Sequence, residues 1–170
     1  MNQSIRLLSA TESDPALANE LSGWFEAEFG PRADRWAPAD YYVLINRDGQ
    51  LAGRLGMLDS KVSVANQVIR VGGIGGVATK RVFRHRGVAS AMLARAAEFM
   101  KSDLRVDFGL LLCRHEVSTV YAKSGWIIVR GPTTFTRAGV TATYPHDTMV
   151  LPLAGKEWPS GPIDMLGLPW

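Results

Sequence analysis

Short apolar runs separated by turn signals predict β-strands in the first part of the chain. Such runs lie at Ile5–Leu8, Tyr41–Ile45 and Leu51–Leu58. Asp48-Gly49, which precedes the third run, is typical of a two-residue hairpin turn. Ala65-Asn66 marks a further reversal between two segments that are rich in valine. The pattern therefore predicts strands joined by hairpins over this region.

Two longer segments have helical spacing of their apolar residues. Ala16–Phe29 is preceded by Asp14-Pro15, a cap followed by proline at the first helical position, and Gly30-Pro31 stops it. Val88–Ser102 carries an apolar stripe with charged residues outside it. Residues 30–40 between the first helix and the next strand fit a loop or a short second helix.

The second half of the chain mixes strand and helix signals. Phe108–Cys113 is almost wholly apolar, which is typical of a buried central strand. His115–Ser124 fits a short helix, and Ile127–Thr136 and Thr148–Leu153 fit two strands joined by a loop. The order of elements predicts a mixed α/β fold in a single domain over residues 1–170.

The amino-acid composition and net charge limit the classes of function that the protein can have. The chain has 170 residues, of which 46% are hydrophobic and 21% charged, with a net charge of +3. This charge suits an anionic cofactor, whereas nucleic-acid binding usually needs a longer basic face, so no nucleic-acid partner is expected. Cys113 is the only cysteine, and no leader pattern or membrane-length apolar run is present. We expect a cytoplasmic protein without a membrane partner, and no cluster has metal-ligand spacing.

The segment before the second helix carries the densest candidate chemistry. Lys80–Arg86 is rich in basic residues, and the helix begins just after them. A helix start has unpaired N–H groups and a partial positive charge, so it favours anions. Gly87 permits close approach and the arginines add charge, which suits a pyrophosphate. The alternative is a solvated basic cap.

The glycine run before this segment also fits a dinucleotide motif loosely. Gly73-x-Gly75-x-x-Ala78 has the spacing, but that motif must turn directly into a helix. Val77–Thr79 instead continues as a strand, so dinucleotide binding is not expected. The glycines suit a bulged or splayed strand whose backbone approaches a ligand. Flexible strand glycines without a ligand are the alternative.

These motifs together resemble one enzyme family. Arg84-His85-Arg86-Gly87-Val88-Ala89 fits the pattern Arg/Gln-x-x-Gly-x-Gly/Ala after the strand residues Val77-Ala78-Thr79. This resembles the acyl-CoA-binding motif of the GNAT superfamily of N-acetyltransferases. The resemblance covers nearly the whole chain. It implies a GNAT fold, in which a central, mostly antiparallel sheet is splayed at its two central parallel strands and flanked by helices.

The resemblance also implies acetyl-CoA as the acyl donor and suggests its contacts. The backbone of Val77 and Thr79 would bond the pantetheine arm, while the loop amides, Arg84 and Arg86 would hold the phosphates. Arg114 stands where many relatives carry an asparagine that contacts the pantetheine. The implied CoA-binding residues are Val77, Ala78, Thr79, Arg84, His85, Arg86, Gly87, Val88, Ala89, Ser90 and Arg114.

Tyr121 is the candidate catalytic residue. Its segment, Val120–Trp126, resembles the family's Leu-Tyr-x-Lys-x-Gly-Phe/Trp, whose tyrosine protonates the departing CoA thiolate. A phenol with a pKa of about 10 stays protonated at neutral pH and can donate to sulfur. The alternative is a core tyrosine packed against Trp126, and the two roles are compatible.

The chain departs from the family pattern at the general base. Many relatives carry a glutamate on the glycine strand, and the corresponding position here is Gly75. Gly72–Ala78 contains no carboxylate at all. Deprotonation of an ammonium must therefore use another group, a water connected to bulk solvent, or an amine of low pKa. This departure keeps open a non-catalytic acyl-CoA-binding module.

Two subfamilies that act on amino sugars supply the acceptor hypothesis. Leu112–Thr134 resembles aminoglycoside 2′-N-acetyltransferases, which also end in tryptophan with its carboxylate facing the aminosugar. Arg114-His115 and Glu157–Asp164 resemble stretches of the nodulation N-acyltransferases. Acids and rings commonly hold cationic polyols, so the Trp170 ring and carboxylate are expected to fold over the acceptor cleft. The candidate substrate-binding residues are Glu26, Glu28, Trp36, Gly75, Asp164 and Trp170.

The sequence thus predicts an N-acetyltransferase that moves acetyl from acetyl-CoA to a primary amine of a small molecule, an amino sugar among the candidates. The expected mechanism is direct attack in a ternary complex. A longer-chain N-acyltransferase and the non-catalytic module remain the alternatives. The sequence leaves open whether the aromatic tail seals the site or forms a homodimer interface.

Overall fold

A curled sheet of ten strands organises the computed structural model, which describes residues 2–31 and 35–170. The strands are β1 (Gln3–Ser9), β2 (Tyr41–Arg47), β3 (Gln50–Val64), β4 (Gln67–Thr79), β5 (Phe108–Cys113), β6 (Ile127–Ile128), β7 (Thr133–Arg137), β8 (Val140–Thr143), β9 (Asp147–Pro152) and β10 (Ile163–Asp164). The α-helices of this part of the chain are α1 (Pro15–Phe29), α2 (Val88–Phe99) and α3 (Ser118–Ala122).

The sheet is mostly antiparallel with a parallel pair at its centre. Its strands lie in the order β6-β9-β5-β4-β3-β10-β7-β8. β2 pairs with the first part of β3, and β1 pairs with the other edge of β2. β4 and β5 are parallel, as are β7 and β10. The mixed α/β fold with two central parallel strands is therefore confirmed.

The predicted hairpins form, and a third one was not predicted. Asp48-Gly49 and Ala65-Asn66 both have positive φ at their two central residues, as tight primed turns require. Ala138-Gly139 makes the same turn between β7 and β8, where the sequence predicted only a loop. β8 is exposed along its whole length, so it has no apolar face for a pattern to detect.

The predicted strand Ile127–Thr136 is wrong as one element. Residues 127–128 pair with β9, whereas residues 133–137 pair with β8 and β10. Gly131, at φ +114°, and Pro132 break the strand between them. Proline lacks the N–H that a ladder needs, and this explains the division.

The first helix begins and ends close to where its signals predict. The Asp14 side chain accepts a hydrogen bond from the Leu17 N–H (2.9 Å), and Gly30, at φ +81°, follows the last residue. Leu21 and Phe25 are its buried residues. Residues 35–40 form no helix, and the rest of the predicted second-helix region, Arg32–Asp34, lies outside the described residues.

The other predicted helices differ from the structure at their ends. α2 stops at Phe99 and continues as a π-helical turn, Met100–Leu104, which ends at Arg105 with φ +54°. The predicted helix His115–Ser124 is a 3₁₀ turn followed by the short α3. No helix in the described part of the chain is long and apolar enough to cross a membrane.

Two apolar layers cover the two faces of the central strands. Successive side chains on a strand point to opposite faces, and a Cβ at Gly72 would meet Met100 while one at Gly73 would meet Trp170. The α2 layer contains Met92, Ala96, Met100 and their neighbours. The opposite layer contains Val71, Leu110, Val150, Ile163, Met165 and Trp170.

Truncation of Leu110 tests the apolar layer on the face of the sheet opposite α2. Leu110 is fully buried on β5, so Leu110→Ala should lower the free energy of unfolding by about 2–5 kcal/mol through lost burial and a cavity. Urea denaturation followed by circular dichroism measures this change. Val68→Ala, at a position that is 60% exposed on β4, is the control and should change it by about 0.5 kcal/mol or less. Equal losses in the two variants would contradict the assignment of this layer as core.

Candidate functional site

The central strands part after a short stretch of pairing. β4 pairs with β5 only through Gly72–Ile74 and Gly109–Leu111. Beyond these residues β4 continues to Thr79 and β5 to Cys113 without pairing to each other. The expected splay is therefore present, and it leaves strand backbone available to a ligand.

A β-bulge lies on β4 inside the splayed part. Arg54 on β3 pairs with Ala78 on β4, and Gly56 pairs with Gly75. Between these pairs, two residues of β4 lie opposite one residue of β3. Gly76 within this bulge has φ +59°, a conformation that favours glycine. A bulge leaves an extra residue outside the regular ladder. Its peptide groups can therefore face a bound group.

The loop before α2 has the geometry of an anion site. His85 (φ +59°) and Gly87 (φ +76°) are both left-handed, and successive turns of this kind aim N–H groups into a shared concavity. Gly87 is the N-cap of α2 and supplies no side-chain cap. The first-turn amides from Val88 therefore have no side-chain acceptor, and a phosphate could accept from them.

Side chains brace this loop from two other elements. The Arg84 Nε donates to the Thr79 carbonyl (3.1 Å), and its Nη2 lies 3.8 Å from the Glu28 carboxylate. The Arg47 Nη2 donates to the Arg86 carbonyl (2.8 Å). Arg47 was not singled out from the sequence, because no local pattern links β2 to a loop so distant along the chain.

Tyr121 packs beside the splayed end of β5. It contacts the apolar layer that contains the buried Trp126. Burial is the main cause that raises the pKa of Tyr121 well above its ordinary value, and the nearby Cys113 and Tyr144 raise it further. The phenol is therefore held in its protonated form, as a proton donor requires. The core-packing role and the proton-donor role are compatible in this geometry.

Cys113 and Tyr144 complete a group of weak acids around Tyr121. Burial raises the pKa of Tyr144 to about 12, and the charge of Arg114 opposes part of that rise. Burial also raises the pKa of the Cys113 thiol to about 11. The thiol points at the Met149 sulfur (3.8 Å), so it packs as a small apolar group. Tyr144 lay in a predicted loop, and no motif marks it.

The tail packs inside the molecule against β4. Trp170 is 5% exposed, and its indole Nε1 donates to the Leu110 carbonyl (3.4 Å). A Cβ at Gly73 would lie 2.5 Å from the indole, and one at Gly75 would lie 2.6 Å from the Trp170 carbonyl carbon. The expectation that the ring is free to fold over a cleft is wrong in this respect, because the ring belongs to the core.

Two cavities meet at Trp170. A narrow pocket at the bulge is lined by Gly75, Gly76, Phe25, Trp36, Ala37, Arg54 and Trp170, among others. The Arg54 guanidinium is buried there and lies 5.1 Å from the centre of the Phe25 ring. An open cleft of about 560 Å³ lies beside it and shares Ala37 and Trp170 with the narrow pocket.

The structure brings together only some of the predicted acceptor residues. Trp36, Gly75 and Trp170 line the narrow pocket. Glu26 is exposed on α1, and Glu28 pairs with Arg84. The Asp164 carboxylate accepts from the Leu166 N–H (2.9 Å) and so stabilises a turn. Within the described ranges, no group of three or more potential ligands could hold a metal ion.

Comparison with known families settles the family of this chain. Residues 4–129 match the family model described as an acetyltransferase (GNAT) domain. The chain belongs to the GNAT superfamily. No curated protein sequence is a significant match. GNAT membership and the fold support an acyl-CoA-dependent N-acyltransferase activity.

Solved structures share this GNAT fold at low sequence identity. ElaA from Escherichia coli is 14% identical, with a TM-score of 0.66 over 88% of this chain and 99% of that chain. An acyl-CoA N-acyltransferase from Pseudomonas aeruginosa is 18% identical, with a TM-score of 0.61 over 88% and 99%. YhbS from Escherichia coli, solved in complex with CoA, is 16% identical, with a TM-score of 0.60 over 96% and 89%.

A charge placed at Gly87 tests the phosphate loop. Gly87→Asp should weaken CoA binding at least about tenfold, because a carboxylate would repel the phosphates at the start of α2. Gly87→Asn is the matched control, since asparagine has nearly the same shape and also tolerates left-handed backbone. Isothermal titration calorimetry gives both Kd values. Equal CoA affinity in the two folded variants would place the phosphates elsewhere.

Proposed function

We propose that this GNAT protein transfers acetyl from acetyl-CoA to a primary amine of a small molecule, by direct attack in a ternary complex within one domain of residues 1–170. The observation that carries the proposal is the parting of β4 from β5 between the uncapped start of α2 and a partly buried tyrosine, Tyr121. A thioester whose phosphates lie at that helix start would extend along β4 toward the phenol.

Acetyl-CoA would bind through groups that lack a regular partner. Its pyrophosphate would accept hydrogen bonds from the amides of Val88 and Ala89 at the start of α2, and Arg86 would add charge. Its pantetheine arm would pair with the backbone of Val77–Thr79, as an added strand does at a free edge. The bulge at Gly76 would then lie beside the thioester.

The reaction forms a C–N bond and breaks a C–S bond. The neutral amine attacks the thioester carbon, and negative charge builds on the carbonyl oxygen, where N–H groups of the bulge could stabilise it. When the intermediate collapses, the sulfur takes a proton from the Tyr121 hydroxyl, which is later restored from solvent. The amine nitrogen loses one proton to solvent water, which balances the proton that Tyr121 regains, so the products are an N-acetyl compound and free CoA.

The residues that line the narrow pocket favour an acceptor amine that packs on aromatic rings. Trp36 and Trp170 line the narrow pocket, and rings of this kind commonly hold cationic or sugar-like groups. An amino sugar is therefore our leading acceptor class. The missing carboxylate at Gly75 favours the second candidate, a non-catalytic acyl-CoA-binding module.

An amine panel separates the two candidates. Release of free thiol from acetyl-CoA should depend on added amine and should be faster with acetyl-CoA than with longer acyl-CoAs. Glucosamine, an aminoglycoside, spermidine and tyramine sample the main acceptor classes. Tight CoA binding without amine-dependent thiol release from any of them would support the binding module and overturn the proposed activity.

Loss of the Tyr121 hydroxyl should slow turnover without weakening CoA binding. We expect Tyr121→Phe to lower kcat about 10²-fold, as is typical when a general acid is lost. The Kd for CoA should stay close to the wild-type value. Unchanged turnover in this variant would restrict Tyr121 to core packing.

The pH dependence offers an independent check of Tyr121. Because its pKa is raised in the folded state, the unfolded chain holds fewer protons than the native one above about pH 10. Native stability should therefore fall as the pH rises past that value. Tyr121→Phe should fall less steeply in alkaline urea titrations, with Tyr144→Phe as a comparison. Identical slopes in wild type and Tyr121→Phe would contradict the raised pKa.

A further inference from the structure

The edge of β3 that faces away from β4 has a gap in its pairing. β2 pairs with this edge as far as Met57, and β10 pairs with it from Ser63 onward. Between them, the Asp59 N–H donates to the Asp40 carboxylate (2.9 Å). Alternate residues of a strand turn their peptide groups toward the same edge, so Lys61 presents its N–H and carbonyl here as well. Among the described strands, only β4 pairs with Lys61, and it does so at the other edge.

The cleft of about 560 Å³ opens at this gap. The β3–β4 hairpin lines it with polar residues, and a later segment closes it from the other side with Met165–Leu168 and Trp170. Residues 165–170 lie outside the part of the chain that matches the GNAT family model, residues 4–129. The cleft is therefore built partly by a segment that the family model does not cover.

The charged side chains in the cleft leave one cation without an ion-pair partner. The Arg70 Nε and Nη2 donate to the two carboxylate oxygens of Asp59 (2.7 Å each). These hydrogen bonds are the main cause that keeps the pKa of Asp59 below its ordinary value, so the two groups stay charged and offset each other. Lys61 lines the same cleft and forms no ion pair with any residue that the structure describes.

An anion beside Lys61 would meet hydrogen-bond donors from three sources. The Lys61 main-chain N–H lies on the open edge, and its ammonium adds three further donors. A guanidinium has five N–H groups, of which Asp59 accepts two, so Arg70 keeps donors of its own. Hydrogen bonds between charged groups are stronger than neutral ones. A cationic group would instead meet the Lys61 ammonium and a carboxylate whose two oxygens are already bonded.

Lys61 lies well away from the bulge where the amine would react. Lys61 pairs with Arg70, and Gly56 pairs with Gly75, so five residues of β4, or about 16 Å, separate the two levels. Trp170 lines both the cleft and the narrow pocket at the bulge, so the two spaces are adjacent. The long Lys61 and Arg70 side chains can span part of the distance. A molecule that reaches both places must still be extended, with a length of about two sugar rings.

We propose that the cleft beside Lys61 binds an acidic group, a carboxylate or a phosphate, that the acceptor carries at the end remote from its amino group. The inference rests on the proposed acetyl transfer and specifies its acceptor as an extended amine with an acidic group. The Lys61 N–H, its ammonium and the Arg70 guanidinium donate to the anion. This contact fixes the remote end of the acceptor while its amine reaches the thioester, and it selects against polyamines and polycationic amino sugars.

Matched acceptors test the preference for an acidic group. Lactosamine and the uronate obtained by oxidising its galactose at C6 differ in one carboxylate, and lactosamine 6′-phosphate supplies the other anion. We expect the preferred anionic form to have a KM about tenfold below that of lactosamine, as for one hydrogen bond to a charged group. The lower KM of the two anionic forms distinguishes a carboxylate site from a phosphate site. Equal KM values for all three acceptors would overturn the proposal.

Substitutions of Lys61 assign the preference to the cleft. Lys61→Ala should raise the KM of the anionic acceptor about tenfold and leave that of lactosamine within about twofold, while Lys61→Arg should retain the preference. Lys101→Ala is the matched control, because Lys101 is also an exposed lysine and lies in the turn after α2. It should change neither KM. An equal rise in Lys101→Ala, or no rise in Lys61→Ala, would contradict a site at Lys61.

A binding measurement separates this inference from the activity itself. The chain has five lysines, so ¹⁵N-lysine labelling gives few backbone amide signals, and that of Lys61 is identified by its absence in Lys61→Ala. In the CoA-bound protein, the anionic acceptor should shift this signal more than lactosamine does. Turnover without such a shift would overturn the subsite but not the transferase. A shift without turnover would support the subsite and overturn the transferase, and neither shift nor turnover would overturn both.

Discussion

Trp170 packs on β4 where the strand carries glycine at positions 73 and 75, and much of the site depends on this contact. The indole joins β4 to β5 through the Leu110 carbonyl, at the level where the two strands are still paired. Just beyond it the strands part. A side chain at either glycine would push the tail out and expose a ring that is now buried. Glycine is required here by space, since the neighbour is backbone or a rigid ring.

The glycines of β4 have different structural roles. Gly72 makes room for Met100 under α2, Gly73 and Gly75 make room for the tail, and Gly76 provides the left-handed bulge. Within a few residues, β4 therefore packs against side chains on both faces of the sheet and also breaks its regular hydrogen bonding with β3. The parting of β4 from β5 leaves backbone groups without strand partners, and such groups are costly to bury unless a ligand satisfies them. This is the physical reason for an extended ligand to bind there.

Electrostatics divide the site into two halves. The start of α2, with its uncapped amides and arginines, favours anions. The region around Tyr121, Tyr144 and Cys113 disfavours negative charge, since burial raises the pKa of each group. A charged phosphate and a neutral thioester therefore suit opposite ends of the opening. GNAT membership, established by residues 4–129, agrees with this division.

The sequence by itself determined the local elements, including the turn at Gly87 that precedes α2. The Asp14 cap, the Asp48-Gly49 turn and the motif around Gly87 are encoded by neighbouring residues, so local preferences were enough to predict them. It did not predict β8, whose exposed residues lack an apolar period, or the support of the loop by Arg47. Only the tertiary structure decided that Trp170 faces Gly75, because that contact joins residues far apart in the chain. The contact depends on how the tail fits against the glycines of β4, and the residues near either segment in the sequence do not indicate that fit.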